Sequence, residues 1–424
     1  MSLPRYPQYK DSGVEWLGRL PAHWSVSPLK RHMALLTEKA EGRRWPVALE
    51  NVESWSGRFV PTEGDFQGDG VAFAASDILF GKLRPYLAKV FLAARDGEAV
   101  GDFHVVRPGG ALFPRYAQYQ MLQRQFIDVV DGSTFGSKMP RASWESLGGM
   151  PLVVPEYEEQ RSIAFFLDRE TAKIDTLIAE QEKLLALLAE KRQATISHAV
   201  TRGLDPNVPM KDSGIPWLGE VPAHWEVKPL KRIARLITGM TPPTDDEENY
   251  AEDGHPWVRP EDLDESGFPS TPSRFLSAKG WGGARHVAPN ASLICCIGSI
   301  GKVGFVDTCV STNQQITSAE FSGNGRYFYY VTCAARRELE LSATGNVLRI
   351  LNSERLGNLF YPSPVLVEQK EIAELLDHET AKLDELASEG VRAIGLLKER
   401  RSALIAAAVT GQIDVRDAVK PEAA

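Results

Sequence analysis

EEQRSIAFFLDRETAKIDTLIAEQEKLLALLAEKRQATISHAV, residues 158–200, decides the fold, because the chain says it twice and the second copy lies at 367–409. Ile163, Leu167, Ile174, Leu177, Leu184 and Leu188 follow separations of four, three or seven, the apolar seam of a two-stranded coiled coil. Ile372, Leu376, Leu383, Leu386, Ala393 and Leu397 repeat that seam at a constant offset of 209. Neither copy contains proline, so each reads as one helix of roughly 65 Å at about 1.5 Å per residue. A rod with a single apolar stripe needs a partner. The partner of matching length is the other copy.

The repeat extends outward from the helices. KDSGVEWLGRLPAHWSVSPLKR at 10–31 returns at 211–232 as KDSGIPWLGEVPAHWEVKPLKR, with 16 of 22 positions identical. Its Gly, Pro and Trp content reads as a turn-laden clamp in which His23 and His224 are structural, since no nucleophile pattern accompanies them. Ser133, Gly136, Leu147, Gly148, Pro155, Glu159 and Gln160 return as Ser342, Gly345, Leu356, Gly357, Pro364, Glu368 and Gln369. The offset grows from 201 to 209, so the second unit is eight residues longer in its middle. The organisation is a first lobe (1–157), a first long helix (158–205), a second lobe (206–366), and a second long helix with a tail (367–424). The fold class is α/β: two pseudo-symmetric mixed α/β lobes separated by two long antiparallel coiled-coil helices. Both helices end alike, AVTRGLD at 199–205 and AVTGQID at 408–414; the first runs on into KDSG, and KDSG also stands near the start of the chain. A circular arrangement with both ends near one place follows as an expectation.

Composition narrows the function. With 43% hydrophobic and 25% charged residues, 424 residues form ordinary globular domains. No apolar run long enough to cross a membrane and no N-terminal apolar segment appears, which points to the cytoplasm. Cys295, Cys296, Cys309 and Cys333 lack C-x-x-C spacing and read as buried thiols, with no metal site. The net charge of −8 hides an uneven distribution: residues 241–265 carry ten acidic groups against Arg259, whereas 270–360 carry nine basic and five acidic groups. Phosphate-loop, methyltransferase, nucleophile-elbow and zinc-protease motifs are absent, and Glu170 and Lys173, like Glu379 and Lys382, are i,i+3 partners on a helix, so no catalytic residue is assigned.

What remains is binding. The segments 76–90 (SDILFGKLRPYLAKV) and 291–306 (ASLICCIGSIGKVGFV) each read as strand, turn, strand. They present Lys82, Arg84 and Lys89 in the first lobe and Lys302 in the second, followed by Asn313, Gln314 and Gln315. Arg and Lys suit guanine O6 and N7, and Asn and Gln suit adenine N6 and N7. Two Gly/Ser/Thr-rich loops with basic ends, 132–141 and 342–349, offer Ser133, Lys138, Arg141 and Arg349 to phosphates.

The whole chain resembles the specificity subunit of type I restriction-modification systems. The resemblance rests on the duplicated lobe-plus-helix order, the P-x-x-x-E-Q entry to each helix, the E-T-A-K-[IL]-D runs at 170–175 and 379–384, and GSIGKVG followed by STNQQI. It implies a non-enzymatic chain that binds double-stranded DNA at a bipartite, asymmetric target. It also implies docking of two methyltransferase subunits and of restriction/translocase subunits, with S-adenosylmethionine, ATP and Mg²⁺ used by those partners and no cofactor in this chain. The exposed helix faces, Arg169, Lys173 and Glu180 on one copy and His378, Lys382 and Glu389 on the other, are the expected docking seats. The rival readings are a coiled-coil scaffold with protein- or sugar-binding lobes and a self-contained DNA-modifying enzyme. The acidic stretch 241–265 is expected to face away from phosphates or toward a protein partner.

Overall fold

A computed structural model describes residues 4–40, 45–62, 70–136, 138–345 and 348–418. The chain divides into two compact units, residues 1–181 with 393–424, and residues 182–392. In the first, four antiparallel strands lie in the order Met33–Leu36, Phe103–Pro108, Ile78–Gly81, Val90–Leu92. Ile78, Leu79 and Phe80 are buried on both faces, which is why this strand is a continuous apolar run rather than an alternating one. A three-stranded sheet (Pro46–Val47, Gly97–Ala99, Val71–Phe73) packs beside it, and Ser25–Pro28 pairs with Pro151–Val154 to join the start of the lobe to its end.

The second unit repeats this plan. Its four-stranded sheet runs Ala234–Thr238, Ile316–Phe321, Ala291–Cys295, Val303–Val306, and Glu226–Pro229 pairs with Phe360–Ser363. Its side sheet has five strands, ordered Tyr250–Ala251, Arg274–Leu276, His255–Val258, Val310–Thr312, His286–Val287. The lobes therefore differ in their side sheets, in the middle section where the sequence repeat is weakest.

Each unit holds one half of each long helix, α1 (Tyr157–Arg202) and α2 (Leu366–Val409). In the first unit Glu159 lies near Arg416 and Asp175 pairs with Arg401 at 2.8 Å, so the helices run antiparallel. In the second, Arg192 pairs with Asp384 at 3.1 Å.

The buried stripe departs from the expected seam in its middle. Leu177, Leu184 and Leu386 are 46%, 43% and 50% exposed. One line of buried and half-buried positions runs the length of the helix through 163, 167, 171, 174, 178, 181, 185, 188, 192, 196 and 199, ten steps over 36 residues. That is the 3.6-residue period of a straight helix, which drifts away from a strict heptad by about 20° per seven residues. Helix α2 does the same from 372 to 408.

The circular expectation has a structural counterpart inside the first unit. Tyr9 Oη donates to Gly411 O at 2.9 Å, and Asp414 N–H donates to Pro4 O at 2.8 Å. Gly411 sits against Pro21 and Trp24, as Gly203 sits against Pro222 and Trp225 in the second unit. A continuous peptide in one unit is thus replaced by a non-covalent junction in the other.

Candidate nucleic-acid interface

Two features that the sequence presents separately, the strand turn and the Gly/Ser/Thr-rich loop, are brought together in each unit. In the first, the strand Ile78–Gly81 runs into Lys82, Leu83 and Arg84 and then the short turn Pro85–Leu87. Arg84 and Ala88 take left-handed backbone angles, φ 51° and 47°, which non-glycine residues adopt only where the surroundings hold them. The loop 132–141 folds over this turn: Arg84 N–H donates to Pro140 O at 2.8 Å, and Leu83 and Phe135 each bridge to Arg141. Asp102 ties the assembly together, accepting from Arg141 Nη2 at 3.0 Å and lying 3.8 Å from Lys82 Nζ. The resulting surface exposes Arg84, Lys138, Tyr86, Phe135 and Met139. Ser133 is exposed but donates to Val130 O, and its hydroxyl touches Ser146.

The second unit builds the same junction from different residues. Ile297 and Thr344 bridge to Ile350, and Leu351 N–H donates to Cys296 O at 2.9 Å. Gly345 turns the loop at φ 114°, where a Cβ would meet Leu348 O at 2.2 Å, so only glycine is accommodated. Cys296 N–H donates to Gln315 O at 2.7 Å, which brings the amide-rich turn 313–315 alongside. Gln314 is exposed and accepts from Thr241 Oγ1; Asn313 is buried and donates to Gln315 Oε1 at 3.0 Å. Arg349 is exposed, with its guanidinium on Glu340 O. Ser137, Asn346 and Val347 of the two loops lie outside the described residues.

Two of the named lysines turn inward. Lys89 Nζ donates to Leu49 O at 2.6 Å, where burial lowers its pKa, and Lys302 Nζ donates to Pro260 O at 2.8 Å. Each supplies a donor to a loop carbonyl of its own lobe, so the first unit's cationic surface comes from Arg84, Lys138, Arg141 and Lys82. The cysteines also divide: Cys295 and Cys296 are buried, Cys333 is half-buried, but Cys309 is exposed. Burial pushes the Cys296 and Cys333 thiols up to about 11, so both stay protonated.

The lobes are fastened to the helices by pairs that sequence reading missed. His23 Nε2 meets Glu159 Oε2 at 2.9 Å, and His224 Nε2 meets Glu368 Oε2 at 3.0 Å, so the PAHW histidine and the glutamate of P-x-x-x-E-Q form one contact in each unit. The adjacent glutamines, buried, accept from Phe113 N–H and Asn324 N–H at 2.8 Å and donate to Pro155 O and Pro364 O. Arg115 and Tyr119 converge on Asp168, as Arg326 and Tyr330 converge on Asp377. The signal was available, since every member of these clusters has a counterpart in the repeat. Arg169, Lys173, Glu180, His378, Lys382 and Glu389 all lie on exposed helix faces, with Lys173 on Glu170 and Lys382 on Glu379 at 2.8 Å. Much of the acidic stretch 241–265 is partnered locally: Asp246 and Glu248 with Lys279, Glu261 and Asp262 with Arg259, and Glu265 with Arg336.

Among the described residues no helix is long and apolar enough to cross a membrane, and no group of His, Cys, Asp or Glu is placed to hold a metal ion. Residues 222–389 match the type I restriction modification DNA specificity domain. It is 25% identical over 207 residues to the type I restriction enzyme EcoDI specificity subunit of Escherichia coli, covering 46% of each chain. It is 23% identical over 305 residues to the Escherichia coli EcoBI specificity subunit, covering 68% of this chain and 64% of that one. The chain thus spans about half to two thirds of the length of these curated relatives. A chain solved in work on complex assembly and conformational transition of the type I R-M system shares the fold with a TM-score of 0.73 at 16% identity, covering 92% of this chain and 98% of that one. The HsdS subunit of Thermoanaerobacter tengcongensis superposes with a TM-score of 0.50 at 17% identity, with the same coverage. The likeness therefore runs to type I restriction-modification specificity subunits: by family pattern over residues 222–389, by sequence over up to 305 residues, and by fold over 92% of the chain.

Proposed function

We propose that this chain is the non-catalytic DNA-reading subunit of a cytoplasmic type I restriction-modification complex, with each lobe reading one half of a bipartite, asymmetric target. The observation that carries this reading is the repeated junction of strand turn and Gly/Ser/Thr-rich loop, one per unit, made from dissimilar side chains. Equal scaffolds with unequal tips suit two different half-sites. In the first unit Arg84, Lys138 and Arg141 suit guanine edges and phosphates, and in the second Gln314 and Gln315 suit adenine edges. The exposed helix faces around Arg169, Lys173 and Glu180, and around His378, Lys382 and Glu389, are the seats for two methyltransferase subunits, with restriction/translocase subunits joining the complex. Those partners supply the chemistry that uses S-adenosylmethionine, ATP and Mg²⁺.

The test is binding of the full chain, assembled with its methyltransferase subunits, to duplex DNA over a series of salt concentrations. Affinity is expected to fall linearly with salt on logarithmic axes, and Lys138→Ala is expected to reduce the slope by about one. Salt-independent or absent DNA binding would favour the scaffold reading. Methylation or cleavage by the chain alone would favour the self-contained enzyme.

A further inference from the structure

One arginine per unit joins the paired helices to a loop of the lobe, and no DNA-contact assignment uses it. Arg401 on α2 is 11% exposed at its side chain; its Nε donates to Asp175 on α1 at 2.8 Å, and its Nη1 donates to Trp55 O at 3.0 Å. Arg192 on α1 stands 209 positions earlier and does the same in the second unit. It pairs with Asp384 on α2 and donates to Ser266 O. The loops that deliver these carbonyls correspond at an offset of 211: Val47, Glu50, Asn51 and Glu53 stand where Val258, Glu261, Asp262 and Asp264 stand, and Asn51 and Asp262 each accept from the N–H three residues earlier at 2.9 Å. The same contact between a helix arginine and this loop is kept in both copies of the repeat, which argues for a retained geometric task.

In the first unit the connection continues to the reading turn. Trp55, at φ 65°, donates its N–H to Ala88 O at 3.1 Å, and Ala88 N–H donates to Pro85 O at 2.7 Å. Pro85 follows Arg84, the left-handed residue at the tip. The Arg124 guanidinium lies over the Trp55 indole, 5.1 Å from its ring centre. Backbone hydrogen bonds thus run from the helix arginine to the turn that carries Arg84.

We propose that Arg401 is a positioning residue for DNA reading by the first unit, fixing the turn at 84–88 on the helix pair through Trp55, and that Arg192 has the matching role in the second. The proposal rests on the DNA-reading function above. The planar fork is what the task needs, because its donors meet a carboxylate and a carbonyl from separate nitrogens in a fixed geometry, whereas lysine offers a single ammonium on a flexible stem. The assay is binding of the reconstituted complex to its cognate duplex and to duplexes altered in either half-site, across a salt series, with thermal unfolding in parallel. Arg401→Met is expected to lower discrimination at one half-site by about tenfold, with the salt slope unchanged, and Arg192→Met to do so at the other. Arg401→Lys, which keeps charge and packing, carries the same comparison if the methionine variant does not fold. A salt slope reduced by about one would make Arg401 a phosphate contact and overturn the proposal. So would loss of thermal stability with discrimination intact at both half-sites. Absence of salt-dependent binding by the unaltered complex would instead remove the DNA-reading function itself.

Discussion

Replacing Gln160 separates hydrogen bonding from packing at the point where the first lobe meets α1. The residue is fully buried; Oε1 accepts from Phe113 N–H at 2.8 Å, and Nε2 donates to Pro155 O at 2.9 Å and Ala111 O at 3.1 Å. Gln160→Ala strands a buried donor and leaves both carbonyls without this partner. At roughly 1–3 kcal/mol for each of these three groups, the cost is at least about 3 kcal/mol. Gln160→Glu keeps the acceptor for Phe113 but places a second carboxylate oxygen against two carbonyl oxygens and buries a charge, so at pH 8 it destabilises more than alanine. Burial raises that carboxyl above its unfolded value near 4.3, so the folded chain takes up the proton first as pH falls. The glutamate variant therefore regains stability between pH 8 and pH 5.5, while the alanine variant does not. Urea unfolding of the full chain followed by tryptophan fluorescence reads both midpoints. A glutamate variant milder than alanine at pH 8, or a penalty that does not change with pH, would refute the reasoning.

Two further outcomes follow from the helix pair and the chain junction. Leu184→Asp and Leu177→Asp, on exposed positions, are expected to stay within about 0.5 kcal/mol of the parent in urea unfolding. Leu167→Asp buries an unpaired charge and is expected to abolish folding; an equal effect at 167 and 184 would restore the strict heptad seam. Asp414 is held below the usual carboxylate range, first by its hydrogen bond with Arg416, at the place where Asp414 N–H meets Pro4 O. Its contribution is present above the unfolded value near 3.9 and is lost as pH falls through the lower folded value. Asp414→Asn should accordingly flatten the acid limb of the unfolding curve below about pH 4; an unchanged acid limb counts against it.

Much of the architecture was legible in the sequence because it is stated twice. The 10–31 and 211–232 segments and the two helices, at offsets of 201 and 209, define two like units before any contact is known. The seam was misplaced at Leu177, Leu184 and Leu386 because short heptad patterns do not separate a 3.5 from a 3.6 period, whereas tertiary burial does. Lys89 and Lys302 read as exposed turn cations, yet the carbonyls that capture them lie 40 and 42 residues away in sequence. His23 and Glu159 are 136 residues apart, and only the recurrence of both in the second unit links them. Local pattern therefore locates the turns and loops, and long-range acceptors decide which side chains remain free at their tips.

The most direct test of the central claim is a map of methylated positions in host DNA with and without this chain, its partner subunits being left in place. The account predicts that one bipartite, asymmetric methylated motif disappears when the chain is removed and returns when it is restored. A methylation map unchanged by its removal would contradict the claim that this chain chooses the DNA sequence.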